Sequence, residues 1–79
     1  MKYISLYDAP IGSKVIIKKV LSKGSIRRRL LDIGLTPGTI VQSCFSNPGR
    51  NLIAYMIRGA LIAIRDDDAK NILIEEFLV

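Results

Sequence analysis

Residues Ser25 to Thr39 constrain this chain more than any other stretch. They read Ser-Ile-Arg-Arg-Arg-Leu-Leu-Asp-Ile-Gly-Leu-Thr-Pro-Gly-Thr. Ser25 is placed to cap a helix, since its hydroxyl can accept a bond from a free first-turn amide. Ile26, Leu30 and Ile33 recur at helical spacing and so share one face. Arg27, Arg28 and Arg29 fan over the remaining faces. Gly34 is expected to end the helix, because glycine enters the left-handed region without steric cost. Leu35 can then fold back onto the apolar face. Thr36-Pro37-Gly38-Thr39 fits a type II turn, with proline second and glycine third. The flanking segments read as strand, so the helix is expected to plug a barrel that they form.

The strands follow from β-branched content and turn punctuation. Lys14 to Leu21 is the first, and its consecutive Val15, Ile16 and Ile17 call for a bulge, a strong twist or burial on both faces. Thr39 to Phe45 is the second. Ser46-Asn47-Pro48-Gly49-Arg50 is a turn. Asn51 to Arg58 is the third, with Ile53, Tyr55 and Ile57 on one face and Leu52, Ala54 and Met56 on the other. Leu61 to Arg65 is the fourth, joined to the third through Gly59-Ala60. Asp66 to Asn71 is a helical turn with its acid at the N-terminal end, where the dipole favours it. Ile72 to Phe77 closes the chain, followed by Leu78 and Val79. Leu6 to Gly12 is a lead-in with a turn or a single helical turn. The expected fold is mostly β: a small SH3-like barrel of about five strands, with one short helix after the first strand. Its predicted core is Val15, Ile17, Ile26, Leu30, Ile33, Ile53, Tyr55, Ile57, Ile62 and Ile64.

At 79 residues the chain has room for one domain, spanning 1–79. Hydrophobic residues make up 49%, which is high for a small chain and admits a weak dimer or trimer. No apolar run approaches the ~20 residues that cross a bilayer, and the first residues carry no long apolar segment of a signal peptide. The single cysteine, Cys44, allows no internal disulfide and suits a reducing cytosol. It reads as a strand residue packed as a small hydrophobe. Phe77-Leu78-Val79 reads as closing-strand core, though a free apolar end could also pack on a partner.

The formal charge is +5, with the cations concentrated early and the acids late. A basic face attracts nucleic acid, acidic proteins or anionic lipid. The chain has no histidine, the commonest general base, and no Walker-type phosphate loop, so catalysis is not expected. Asp66-Asp67-Asp68 reads as first-turn helical acid rather than a metal site, because adjacent aspartates on a turn point apart. The arginine run reads either as a solvated face, with Arg29 pairing to Asp32, or as a contact for a partner's carboxylates or phosphates. No aromatic residue sits beside it, so base stacking is poorly supported.

The ordered set of motifs resembles the FeoA family of bacterial ferrous iron uptake. Leu6, Asp8 and Gly12 are similar to its opening and Arg28 to Thr39 to its central signature. Ile53 to Gly59 is similar to its following strand, and Ile62 to Arg65, Ala69 and Ile72 to its ending. Many members carry proline near Leu52 and methionine at Ile33, both apolar exchanges. The resemblance implies an SH3-like barrel and a partner, FeoB, the membrane Fe(II) transporter with a cytosolic GTP-binding domain. It implies a cytoplasmic accessory or regulatory role, with no cofactor, no nucleic acid and no direct membrane insertion. The surface expected to bind the partner is Arg27, Arg28 and Arg29 with Leu35 and Pro37. A basic nucleic-acid-binding barrel and an interaction module of a metal-dependent regulator stand as alternatives.

Overall fold

The computed structural model describes residues 4–75. The expected ends of the chain, Glu76 to Val79, lie outside the described residues. Strands β1 (Ile4–Ser5), β2 (Lys14–Val20), β3 (Ile40–Ser46), β4 (Leu52–Ile57), β5 (Ala60–Arg65) and β6 (Ile72–Glu75) form one sheet in the order β1-β6-β2-β3-β4-β5. Every neighbouring pair is antiparallel. Helix α1 (Gly24–Asp32) links β2 to β3, and α2 (Asp66–Ala69) links β5 to β6. Leu6 to Asp8 form a 3-10 turn where the sequence suggests a turn. The two-residue β1 was not expected, since two residues carry no alternation to read.

The sheet curls so that one face of every longer strand meets a common core. Val15, Ile17, Val20, Val41, Ile53, Tyr55, Ile57, Ile64, Ile72 and Ile74 are buried there with Leu6, Leu30 and Leu35. Two bulges set the inward phase. Ile17 pairs with Ile74 but Lys19 with Leu73, so Lys18 is the extra residue and Val20 returns to the interior. The run Val15-Ile16-Ile17 lies before this bulge and keeps plain alternation, with Ile16 partly exposed opposite Ile40. A second bulge at Cys44 leaves Ser43 inside and Phe45 outside. Cys44 is accordingly half-buried.

The end of α1 fixes how the helix meets the sheet. The Gly34 amide donates to the Leu31 carbonyl at 3.0 Å, and the Leu35 amide to the Leu30 carbonyl at 3.1 Å. These are the paired bonds of a Schellman motif, and the accompanying apolar contact joins Leu30 to Leu35. Both side chains are buried, so the predicted fold-back of Leu35 is what the chain does. The start of the helix differs from expectation. Gly24, at φ +66°, already belongs to it, and no side chain caps it, so Ser25 is an exposed first-turn residue. Ile26 is 45% exposed rather than core. At this end the face it shares with Leu30 borders only a hollow lined by Arg65 and the α2 acids, not the core.

Gly34 has φ +113°, and a Cβ on it would stand 2.9 Å from Ile57 Cγ2 and 3.0 Å from Arg58 Cδ. Gly38 has φ +91° but open space around it. Replacing either by alanine should cost about 1–2 kcal/mol for the backbone alone. Gly34→Ala should lose clearly more than Gly38→Ala in urea melts. Equal losses would show that the approach to β4 carries no weight.

Candidate docking surface

Successive helical residues point about 100° apart, so three arginines in a row cannot share one direction. Arg27 and Arg28, both exposed, flank a shallow hollow with Leu31 and Asp32. Arg29 turns the other way, toward α2. Its Nη2 donates to Asp68 Oδ2 at 3.4 Å, and the expected pairing of Arg29 with Asp32 is not made. Asp68 is the better partner because its side chain is only 16% exposed, so less of the attraction is lost to solvent. Arg29 itself stays 65% exposed, which keeps the pair weak.

Arg29 also forms part of a groove between α1 and β5, of about 320 Å³. Arg29, Leu30 and Ile33 make one wall, residues 62–65 make the other, and Asp68 stands at the rim. Ile26 sits beside this groove, in a hollow that it shares with Arg65 and Asp67.

Pro37 is exposed at the tip of its turn. The Thr39 amide donates to the Thr36 carbonyl at 3.1 Å, and Gly38 takes the positive φ, as a type II turn requires. Leu35 cannot contribute to a surface, because it is fully buried and serves as the helix anchor. The five sequence-selected residues therefore do not make one patch. Arg27 and Arg28 share a hollow, Arg29 borders the groove, Pro37 lies past the helix end and Leu35 is inside.

Two further arginines are held by hydrogen bonds, one beside this surface and one away from it. Arg58 Nη2 donates to Thr36 Oγ1 at 3.1 Å, so the β4–β5 hairpin tip is tied to the Pro37 turn. With φ +50° Arg58 forms the hairpin loop with Gly59, one residue earlier than the Gly59-Ala60 link expected from the sequence, and Ala60 belongs to β5. Arg50 is structural. Its guanidinium lies 4.5 Å from the Tyr7 ring centre and donates to the Tyr7 carbonyl at 2.7 Å. The Tyr7 hydroxyl returns a bond to the Arg50 carbonyl at 3.1 Å. Together they clamp the 47–51 loop to the lead-in.

Acid is placed differently. Asp66, Asp67 and Asp68 occupy the first turn of α2, and Asp66 Oδ1 accepts the Asp67 amide at 2.8 Å. No group of three or more His, Cys, Asp or Glu side chains among the described residues is placed to hold a metal ion. No helix among them is long and apolar enough to cross a membrane.

A family model described as the FeoA domain matches residues 4–76. The chain belongs to the FeoA family. An NMR structure of a FeoA-like protein from Clostridium acetobutylicum superposes with a TM-score of 0.89 at 32% identity, covering 100% of this chain and 92% of that one. A crystal structure of an iron uptake regulatory protein, FeoA, superposes with a TM-score of 0.83 at 26% identity, covering 98% and 100%. FeoA of Stenotrophomonas maltophilia in complex with zinc, described as a prokaryotic SH3 domain protein, has a TM-score of 0.81 at 21% identity, covering 91% and 89%. The barrel is thus SH3-like, as the motif order implied. No protein of curated function matches the chain by sequence.

Tyr55 gives the core of this FeoA barrel a pH signature. It is fully buried, its hydroxyl donates to the Leu6 carbonyl at 3.4 Å, and burial pushes its pKa up to about 12. The folded state therefore holds the phenolic proton more tightly than the unfolded chain, whose tyrosine titrates near ~10. This contribution is complete below ~10 and is lost as pH rises toward about 12. Stability should fall across that window, and Tyr55→Phe should flatten the fall when both are melted in urea from neutral to alkaline pH.

Proposed function

We propose that this FeoA-family chain works by binding, as a cytosolic accessory protein that docks on the cytosolic region of FeoB and modulates the transporter. The observation that carries this reading is the exposure of Arg27, Arg28 and Arg29 on a helix whose far end is locked into the core. Arg27 and Arg28 make no ion pair among the described residues, and Arg29 makes only the long contact to Asp68. Arginine forks onto carboxylates and is enriched at interfaces. A helix held by Leu30 and Leu35 presents these side chains with little further ordering cost, which favours binding over flexible display.

Pro37 and Arg58 extend the proposed surface past the helix end, where their turns are tied together. A rigid turn adds contact without loss of backbone freedom. The binding step biases the GTPase domain only where this chain favours one of its states over another. Fe(II) is the cargo of the transporter in this reading, and this chain's part is to hold the protein that carries it.

The test is saturable binding of the purified protein to the cytosolic region of FeoB from the same organism, with and without a GTP analogue. The Arg27→Ala, Arg28→Ala, Arg29→Ala triple variant should weaken binding by at least about tenfold, as the loss of one or more interface hot spots would. Its melting should stay close to wild type, since these side chains are exposed. Undiminished binding by the triple variant would refute the three arginines as contacts. Steeply salt-dependent binding to duplex DNA, with none to FeoB, would favour the basic nucleic-acid reading instead.

A further inference from the structure

β5 ends the sheet order, so one of its edges faces no strand among the described residues. It pairs with β4 without irregularity, from Leu52 opposite Arg65 to Ile57 opposite Ala60. The loop between them is Arg58-Gly59, with φ of +50° and +82°, a primed two-residue turn. The residues bracketing such a loop exchange both backbone bonds, and bonded positions then alternate along the hairpin. Ala60, Ile62 and Ile64 therefore bond to β4. Leu61 and Ala63 direct both backbone groups to the open edge, and Arg65 directs its amide there, with no backbone partner among the described residues, while the Arg65 carbonyl, as the N-cap of α2, accepts the first bond of that helix.

Sheet edges are usually blunted by bulges, proline, charges or shortness. The opposite edge, β1, has two residues among those described. β5 has six residues and no bulge, no proline and no glycine, and its one charge is at its end. The groove beside it is lined by the consecutive residues 62–65, and only the edge of a strand offers consecutive residues to one hollow. Across the groove stand Leu30 and Ile33.

We propose that the β5 edge and this groove take up an extended segment of a partner protein as an added strand. Its backbone bonds to Leu61, Ala63 and the Arg65 amide. Its inward side chains are apolar and fill the space between Ile62 and Ile33. Its flanking positions are acidic, because Arg65 has no ion-pair partner among the described residues and Arg29 remains mostly exposed beside the one rim carboxylate, Asp68. A second copy of this chain fits less well. Each copy carries +5, and a groove of about 320 Å³ bounded by a helix admits a few side chains rather than another barrel. This inference deepens the docking reading by naming how the partner is held, and it can fail while that reading stands.

The probe is a synthetic peptide alternating glutamate with valine or isoleucine, together with a version N-methylated at alternate residues. The first should bind saturably and the second at least about tenfold more weakly, as the loss of one to two backbone bonds requires. Ala63→Pro removes an outward amide without touching the β4 ladder, so it should fold and weaken binding by a similar factor. Ala63→Ser keeps the amide and should bind as wild type. Equal affinity for the two peptides overturns the proposal, whether or not the proline variant folds. So does no binding of either peptide, or a folded Ala63→Pro that binds as wild type. FeoB binding untouched by Ala63→Pro overturns the edge and leaves docking intact, whereas peptide binding without FeoB binding supports the edge alone. A doubled mass of the peptide-free protein, reversed by Ala63→Pro, assigns the edge to a second copy and overturns the proposal.

Discussion

The junction between α1 and β3 depends on the place where Leu35 leaves the helix. Gly34 lets the chain reverse, the Leu30 carbonyl accepts the Leu35 amide, and both leucines enter the core. Removing a side chain so buried costs roughly 2–5 kcal/mol in comparable cores. The exposed Arg29–Asp68 pair contributes at most about 1 kcal/mol. Packing therefore sets the position of the helix, and the ion pair only follows it. The same reversal brings Gly34 against Ile57 and Arg58, which ties the helix end to the β4–β5 hairpin. Arginines, Pro37 turn and β5 edge are consequently held by one rigid frame.

That frame separates stability from recognition. The inward faces of the strands are almost wholly apolar, and the described polar exceptions are few. Among the described residues the cations lie outside apart from the half-buried Arg50, and most make no ion pair. Such an arrangement adds little to folding, because exposed charges are solvated and screened. It is suited to steering a partner of opposite charge and to fixing its orientation. An open, regular strand edge likewise adds nothing to the stability of the isolated chain and carries an association hazard. Both features fit the proposed docking role.

Much of this was legible in the sequence, and particular residues show why. Ile53, Tyr55 and Ile57 declared the inward face of β4 by alternation alone. Gly34 and the Thr36–Thr39 turn declared their geometry because only certain residues tolerate it. The family motifs followed the same order in the chain as the elements in the fold. Ile26 misled because periodicity gives the face of a helix but not how deeply each turn sits. Leu35 was chosen for a surface although the fold-back predicted for it buries the side chain. Arg29 met Asp68 rather than Asp32 because a distant partner in a less solvated place outweighed a local one. The open edge of β5 could not be read at all, since strand order is a property of the assembled sheet.

The most direct test of this account is amide hydrogen exchange of the free protein, read residue by residue along β5. An unpaired edge predicts alternation: Ala60, Ile62 and Ile64 protected through their bonds to β4, and Leu61, Ala63 and Arg65 exchanging freely. Uniform protection along β5 would contradict the account, because it would mean that the edge is already covered in the isolated chain.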